Sequence, residues 1–204
     1  MIRYKIRNNV FETNSSSMHS IVISKNKNED NHYNYGKFLR GIDYMSDIDI
    51  DEDGKLAMTL SVFTREYGGY YGRSPFGILE SFGQKFGYAV ASLCNNDEDF
   101  DKLFVPVIEH IVKEGNKERV KHGVEEFKYD YIKVRDNDYD DFKFGFVDHQ
   151  SNGLLESFMK EKNVSLLDFL CDSRYIVIID GDEYCIIDTI MDRFGDNNIE
   201  DRYF

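Results

Sequence analysis

Ten consecutive residues near the amino end, Phe11-Glu12-Thr13-Asn14-Ser15-Ser16-Ser17-Met18-His19-Ser20, hold an acid, an amide, five hydroxyls and an imidazole. Hydroxyls and backbone N–H groups gathered in a tight loop form an anion-binding concavity, and Arg7 upstream adds a charged donor suited to phosphate. On this reading Thr13, Asn14, Ser15, Ser16, Ser17 and Ser20 are phosphate ligands. His19, whose ordinary pKa lies near neutrality, is a candidate general acid or base, and Glu12 would orient it. The same residue types also make a plain strand-connecting turn in which Ser and Asn side chains bond their own backbone, and the residues alone leave both readings open.

A second chemistry-bearing run is Asp148-His149-Gln150-Ser151, at an expected strand-to-helix junction. An Asp beside a His can fix its tautomer and raise its basicity. If His19 and His149 meet in space, the two imidazoles are suited to acid–base cleavage of RNA, with Asp148, Gln150 and Ser151 supporting them. The plainer alternative is a helix N-cap, by Asp148 or Ser151, next to a half-exposed His149. Asp49, Asp51, Asp53 and Gly54 match the first half of a calcium-binding EF-hand loop. The twelfth position is Leu60 in place of the required bidentate Glu, and the flanks alternate like strands, so calcium is not expected. Asp180-Gly181-Asp182-Glu183 reads first as a hairpin turn, and His110 and His122 as surface residues. Cys94, Cys171 and Cys185 are odd in number and widely spaced, which points to buried thiols in a reducing compartment. No nucleotide-binding glycine loop, zinc-protease helix or nucleophile elbow occurs, and neither a metal nor a cofactor is expected.

These residues sit in a chain of 204 residues with formal net charge −13. Hydrophobic residues make up 41% and aromatics 15%, enough for a packed core and too much for a disordered chain. No apolar run is long enough for a membrane helix, and no signal peptide is expected, so the expected location is the cytoplasm. Charge is uneven. Residues 1–40 hold seven bases (Arg3, Lys5, Arg7, Lys25, Lys27, Lys37, Arg40) and three acids (Glu12, Glu29, Asp30), a balance of +4 that leaves −17 for residues 41–204. Such a body repels nucleic acid at long range and attracts basic partners, including the nucleic-acid grooves of other proteins.

The elements that must position these residues follow from periodicity. Residues 2–7 alternate apolar and charged like a half-buried strand, 20–24 read as a second strand, and 25–36 as a surface loop. Residues 47–63 read as a hairpin turning at Asp53-Gly54. Ser74-Pro75 offers a helix start, and Phe76, Leu79, Phe82, Phe86, Val90 and Leu93 extend an amphipathic helix over 75–93. A cap at 96–99 begins a second helix through Val112. Residues 127–134 and 142–147 read as strands around an acidic loop at 136–141, and 154–159 and 166–170 as short helices. Residues 175–179 and 184–187 read as a hairpin of two buried strands. The expected fold is α+β, a single domain over 1–204 with a mixed or antiparallel sheet, two to four helices packed on it, and an acidic tail at 191–204.

The run from Arg7 through Phe11-Glu12-Thr13-Asn14-Ser15-Ser16-Ser17 to His19-Ser20, with residues 148–151 and the late apolar strand, resembles a group of proteins carried by phages, plasmids and other mobile elements of Gram-positive bacteria. The genetic setting of that group implies antagonism of host defence, for instance as an anti-CRISPR protein. Two mechanisms are compatible with it. One is enzymatic, acting on RNA or a nucleotide, with His19 and His149 as acid and base. The other is non-catalytic: an acidic inhibitor that mimics nucleic acid and blocks a defence nuclease. The corresponding partners are a CRISPR effector or its guide RNA, or the basic groove of a host nuclease, with no membrane. A structural phage protein whose charge only confers solubility is the third reading.

Overall fold

Strands rich in Ile and Val build the central sheet. In the computed structural model the described residues are 19–25, 33–61, 70–71, 77–135, 143–148, 151–179 and 199–203. In chain order they form β1 (His19–Ser24), α1 (Tyr35–Met45), β2 (Ser46–Ile50), β3 (Leu56–Leu60), β4 (Tyr70–Tyr71), β5 (Gly77–Leu79), α2 (Phe82–Leu93), α3 (Asp97–Leu103), α4 (Val105–Lys121), β6 (Tyr131–Val134), β7 (Phe146–Val147), α5 (Leu154–Lys162), α6 (Leu166–Cys171), β8 (Tyr175–Ile179) and β9 (Ile199–Tyr203). The fold is α+β, as expected, with six helices among the described residues where two to four were expected.

β8 and β1 form the middle of a four-stranded sheet ordered β5-β8-β1-β9, antiparallel at every pairing. All five residues of β8 are buried, the pattern of a strand covered on both faces. Both edges of β8 are occupied: Val177, Ile178 and Ile179 pair with β1 on one side and with β5 on the other. The second strand of the expected hairpin, residues 184–187, lies outside the described residues, as do all of residues 180–198. Within the stretch expected as an acidic tail, β9 pairs with β1.

The second sheet is ordered β2-β3-β6, and its β2–β3 hairpin is the one read from sequence. Asp51 closes its turn, with Oδ1 accepting the backbone N–H groups of Asp53 at 2.9 Å and Lys55 at 2.8 Å. The carboxylate that resembled a calcium ligand is a turn cap. β6 joins β3 in parallel, and Asp130 ties its start to β3 by accepting the Leu56 N–H at 2.7 Å. β4 and β7 form a two-stranded parallel sheet.

The helices correct two further expectations. The helix expected over 75–93 begins at Phe82, where Ser81 and Gln84 make a reciprocal capping box, while Gly77, Ile78 and Leu79 are drawn into β5 by β8. The helix expected from the 96–99 cap through Val112 is two helices. Asn96 caps α3, and the chain breaks at Phe104 because Pro106 in the first turn of α4 has no N–H to continue the ladder. Between α1 and α4 the backbones approach so closely that a Cβ on Gly115 would lie 2.8 Å from Leu39 Cβ and 2.9 Å from the Tyr35 carbonyl oxygen. Among the described residues no helix is long and apolar enough to cross a membrane.

Candidate functional site

The two chemistry-bearing runs meet. His19 opens β1, and its backbone N–H donates to Ser151 Oγ at 3.0 Å across 132 residues of sequence. Ladder alternation explains why that donor is available. Ser24 N–H bonds toward β8, to the Arg174 carbonyl at 2.8 Å, so the N–H of His19 points to the opposite side. There the described pairing with β9 ends at Ile21 opposite Tyr203, and the Ser151 hydroxyl takes the next position. Ser151 is therefore not the N-cap of α5. That position belongs to Gly153, in the left-handed region at φ 80°, with no side-chain cap. Asp148 follows β7, donates its N–H to the Tyr71 carbonyl at 2.9 Å and accepts the Ser151 N–H at 2.8 Å, which sets the turn that holds Ser151 in place.

The imidazole of His19 is enclosed, with 2% of the residue's surface exposed. Nδ1 lies 3.2 Å from the Tyr88 hydroxyl, the rings packing at 5.6 Å between centroids, and Tyr88 in turn meets Tyr71 edge-on at 5.3 Å. Nε2 is buried and has no hydrogen-bond partner among the described residues. Burial pushes the His19 pKa down from 6.5 to about 4, against the opposing pull of the Asp148 charge. The ring is therefore neutral at pH 7, with one nitrogen facing a phenol. Burial also raises the Tyr88 hydroxyl well above its ordinary range, so the phenol stays protonated.

Of the residues singled out from sequence, His19, Ser20, Asp148 and Ser151 are described, all four buried. His19, Asp148 and Ser151 converge. Ser20 does not join them, because successive side chains of β1 alternate between sheet faces and its hydroxyl leaves on the face opposite His19. Arg7, Glu12, Thr13, Asn14, Ser15, Ser16, Ser17, His149 and Gln150 lie outside the described residues. Tyr88 and Tyr71 complete the cluster and were not read as site residues. Their only signal is a phenol within an apolar segment, which is equally the signal of core packing. Sequence reasoning also missed Lys85, almost fully buried in α2. Its Nζ donates to the carbonyls of Phe169 at 2.8 Å and Asp172 at 2.7 Å, closing the C-terminal end of α6. Burial lowers its pKa to about 8, with Cys171 and Asp172 pulling the other way. No cluster of metal-ligating side chains occurs among the described residues.

The arrangement ties β1, α2 and the β7–α5 turn into one polar joint. With so low a pKa the enclosed imidazole is a weak proton acceptor at neutral pH. No family model, no curated protein and no solved structure matches the chain.

Proposed function

We propose that the protein is a non-catalytic acidic binding protein that occupies a basic nucleic-acid groove, its target being a bacterial defence nuclease such as an RNA-guided effector. The observation that carries this reading is the display of acids on ordered, exposed elements. Asp47, Asp49, Glu52 and Asp53 project from the β2–β3 hairpin, and Asp97, Glu98 and Asp101 from α3. Asp49 and Glu52 have no counter-ion among the described residues. Charges held on a hairpin are ordered before they meet a partner, so less entropy is lost on binding than from a disordered acidic tail. The burial of His19 and its lowered pKa weigh in the same direction, away from acid–base work at neutral pH.

A second reading, processing of RNA or a nucleotide by His19 with His149, is favoured by one contact: the bond from His19 N–H to Ser151 Oγ brings both segments to one place. One experiment separates the two. Purified protein is incubated with a CRISPR effector and its guide RNA, with and without a divalent cation. The binding reading expects intact RNA and a protein–protein complex whose affinity falls steeply with salt and is lost on combined Asp49→Lys, Glu52→Lys and Asp53→Lys substitution. Shortened RNA, abolished by His19→Ala, overturns that reading in favour of catalysis.

A further inference from the structure

Among the described residues nothing pairs with the outer edge of the second sheet, and its alternation is ordered. β2 is the end strand of β2-β3-β6. Asp51 N–H donates to the Lys55 carbonyl at 2.9 Å, and Ser61 N–H to the Met45 carbonyl at 2.7 Å, at the two ends of the β2–β3 ladder. Opposed residues in an antiparallel ladder alternate between bonded and non-bonded pairs, so Asp47 and Asp49 turn their main-chain groups to β3 while Ile48 and Ile50 turn theirs outward. Ile48 and Ile50 make no hydrogen bond with another segment among the described residues. Their side chains extend the sheet face that carries Met58 and Leu60, yet remain 38% and 72% exposed. Asp47 and Asp49 project from the other face, Asp47 also paired with Arg135.

The geometry points to β2 as a strand-addition site for a partner segment that is extended and alternates apolar residues with Lys or Arg. The inference rests on the acidic-binding reading and names the form its partner takes. An added strand would receive main-chain hydrogen bonds from Ile48 and Ile50, set its apolar side chains against those two residues, and set its bases against Asp47 and Asp49. Charge complementarity selects this occupant over a second copy of the chain. Two β2 strands pairing with each other would bring Asp against Asp on one face, which is destabilising.

The test uses the full chain and two peptides of identical composition, one alternating Lys and Val, the other with its Lys and Val in separate blocks. The alternating peptide is expected to bind at least about tenfold more tightly, read by fluorescence anisotropy at low salt. Ile48→Pro removes only an outward N–H and spares the β2–β3 ladder, so it should erase that advantage, whereas Ile48→Ala should keep most of it. Alternate N-methylation of the alternating peptide should erase the advantage without altering the protein, which guards against misfolding of the proline variant. Equal binding of both peptides, insensitive to N-methylation, overturns strand addition and leaves the acidic-binding reading intact. Failure of both peptides to bind overturns the acidic-binding reading for this hairpin as well. Concentration-dependent self-association that Ile48→Pro abolishes would overturn the choice of occupant.

Discussion

The imidazole of His19 illustrates how a single side chain reports its surroundings. In an unfolded chain it takes up a proton near pH 6.5, whereas in the fold burial holds it neutral down to about pH 4. Its folded pKa is the lower one, so its contribution is fully present above pH 6.5 and is lost as pH falls from 6.5 toward 4, where the unfolded state binds a proton that the folded state refuses. The window spans about 3 kcal/mol at ~1.4 kcal/mol per pH unit. His19→Gln removes this titration while keeping a polar side chain. Urea unfolding at pH 7.5, 6 and 5 should therefore show the variant less stable than the parent at pH 7.5 and losing less on acidification. Parallel declines in the two proteins would mean that the imidazole is hydrated in the fold. The outcome also bears on function, since a hydrated His19 would regain access to proton transfer near neutral pH.

At the scale of elements, close approach decides which helices pack and how near. Gly115 in α4 meets Leu39 and the Tyr35 carbonyl of α1 at distances no Cβ tolerates, and Glu118, one turn further, accepts the Gly36 N–H at 2.7 Å. Gly115→Ala gains up to about 1 kcal/mol of helix propensity and should nonetheless destabilise the protein by about 1–3 kcal/mol, because one contact is backbone and cannot move aside. A lowered urea midpoint with an unchanged slope checks this, and a raised midpoint would show that the helices part without cost. Local signals of this kind divide what the sequence reveals from what it hides. The β2–β3 hairpin, α5 and α6 are legible because alternation, the Asp53-Gly54 turn and the Ser165 cap act within a few residues. α1 is missed although Tyr35, Phe38, Leu39, Ile42 and Met45 fall at helical spacing, because Gly36 and Gly41 interrupt the run and its first turn lies in the stretch read as a loop. β5 is misread as helix because Ser74-Pro75 is a good start signal, whereas the pairing of residues 77–79 with β8 comes from a hundred residues away. The candidate site divides in the same manner. Its residue types at 19 and 148–151 are visible in the chain, but their junction depends on where β9 stops pairing with β1, and Tyr88 carries no local mark distinguishing a site residue from a core one.

For the whole molecule, charge acts on folding and on binding with opposite signs. A net charge of −13 repels itself in the compact state, and salt relieves that repulsion once the screening length falls below the spacing of surface acids. Salt also weakens the exposed ion pairs, such as Lys117 with Glu114 and Arg135 with Asp47, but such pairs contribute at most about 1 kcal/mol each. Self-repulsion should win, so raising NaCl from about 0.02 M to about 0.5 M at pH 7.5 should raise Tm by a few degrees. A falling Tm would mean that the local pairs outweigh the global field. Acidification at low salt mixes two effects, as neutralised carboxylates reduce repulsion while the unfolded His19 gains its proton. At about 0.5 M NaCl the first effect is screened, whereas the second rests on desolvation of His19 in the fold, which salt does not screen, so the His19 window should emerge there most clearly. The salt expected to stabilise the fold should also weaken the attraction of the hairpin acids for the basic partner proposed above. A protein that grows more stable and less adherent together as salt rises has its acids placed for an oppositely charged surface. Loss of binding unaccompanied by a gain in Tm would instead locate the salt-sensitive charges on the partner.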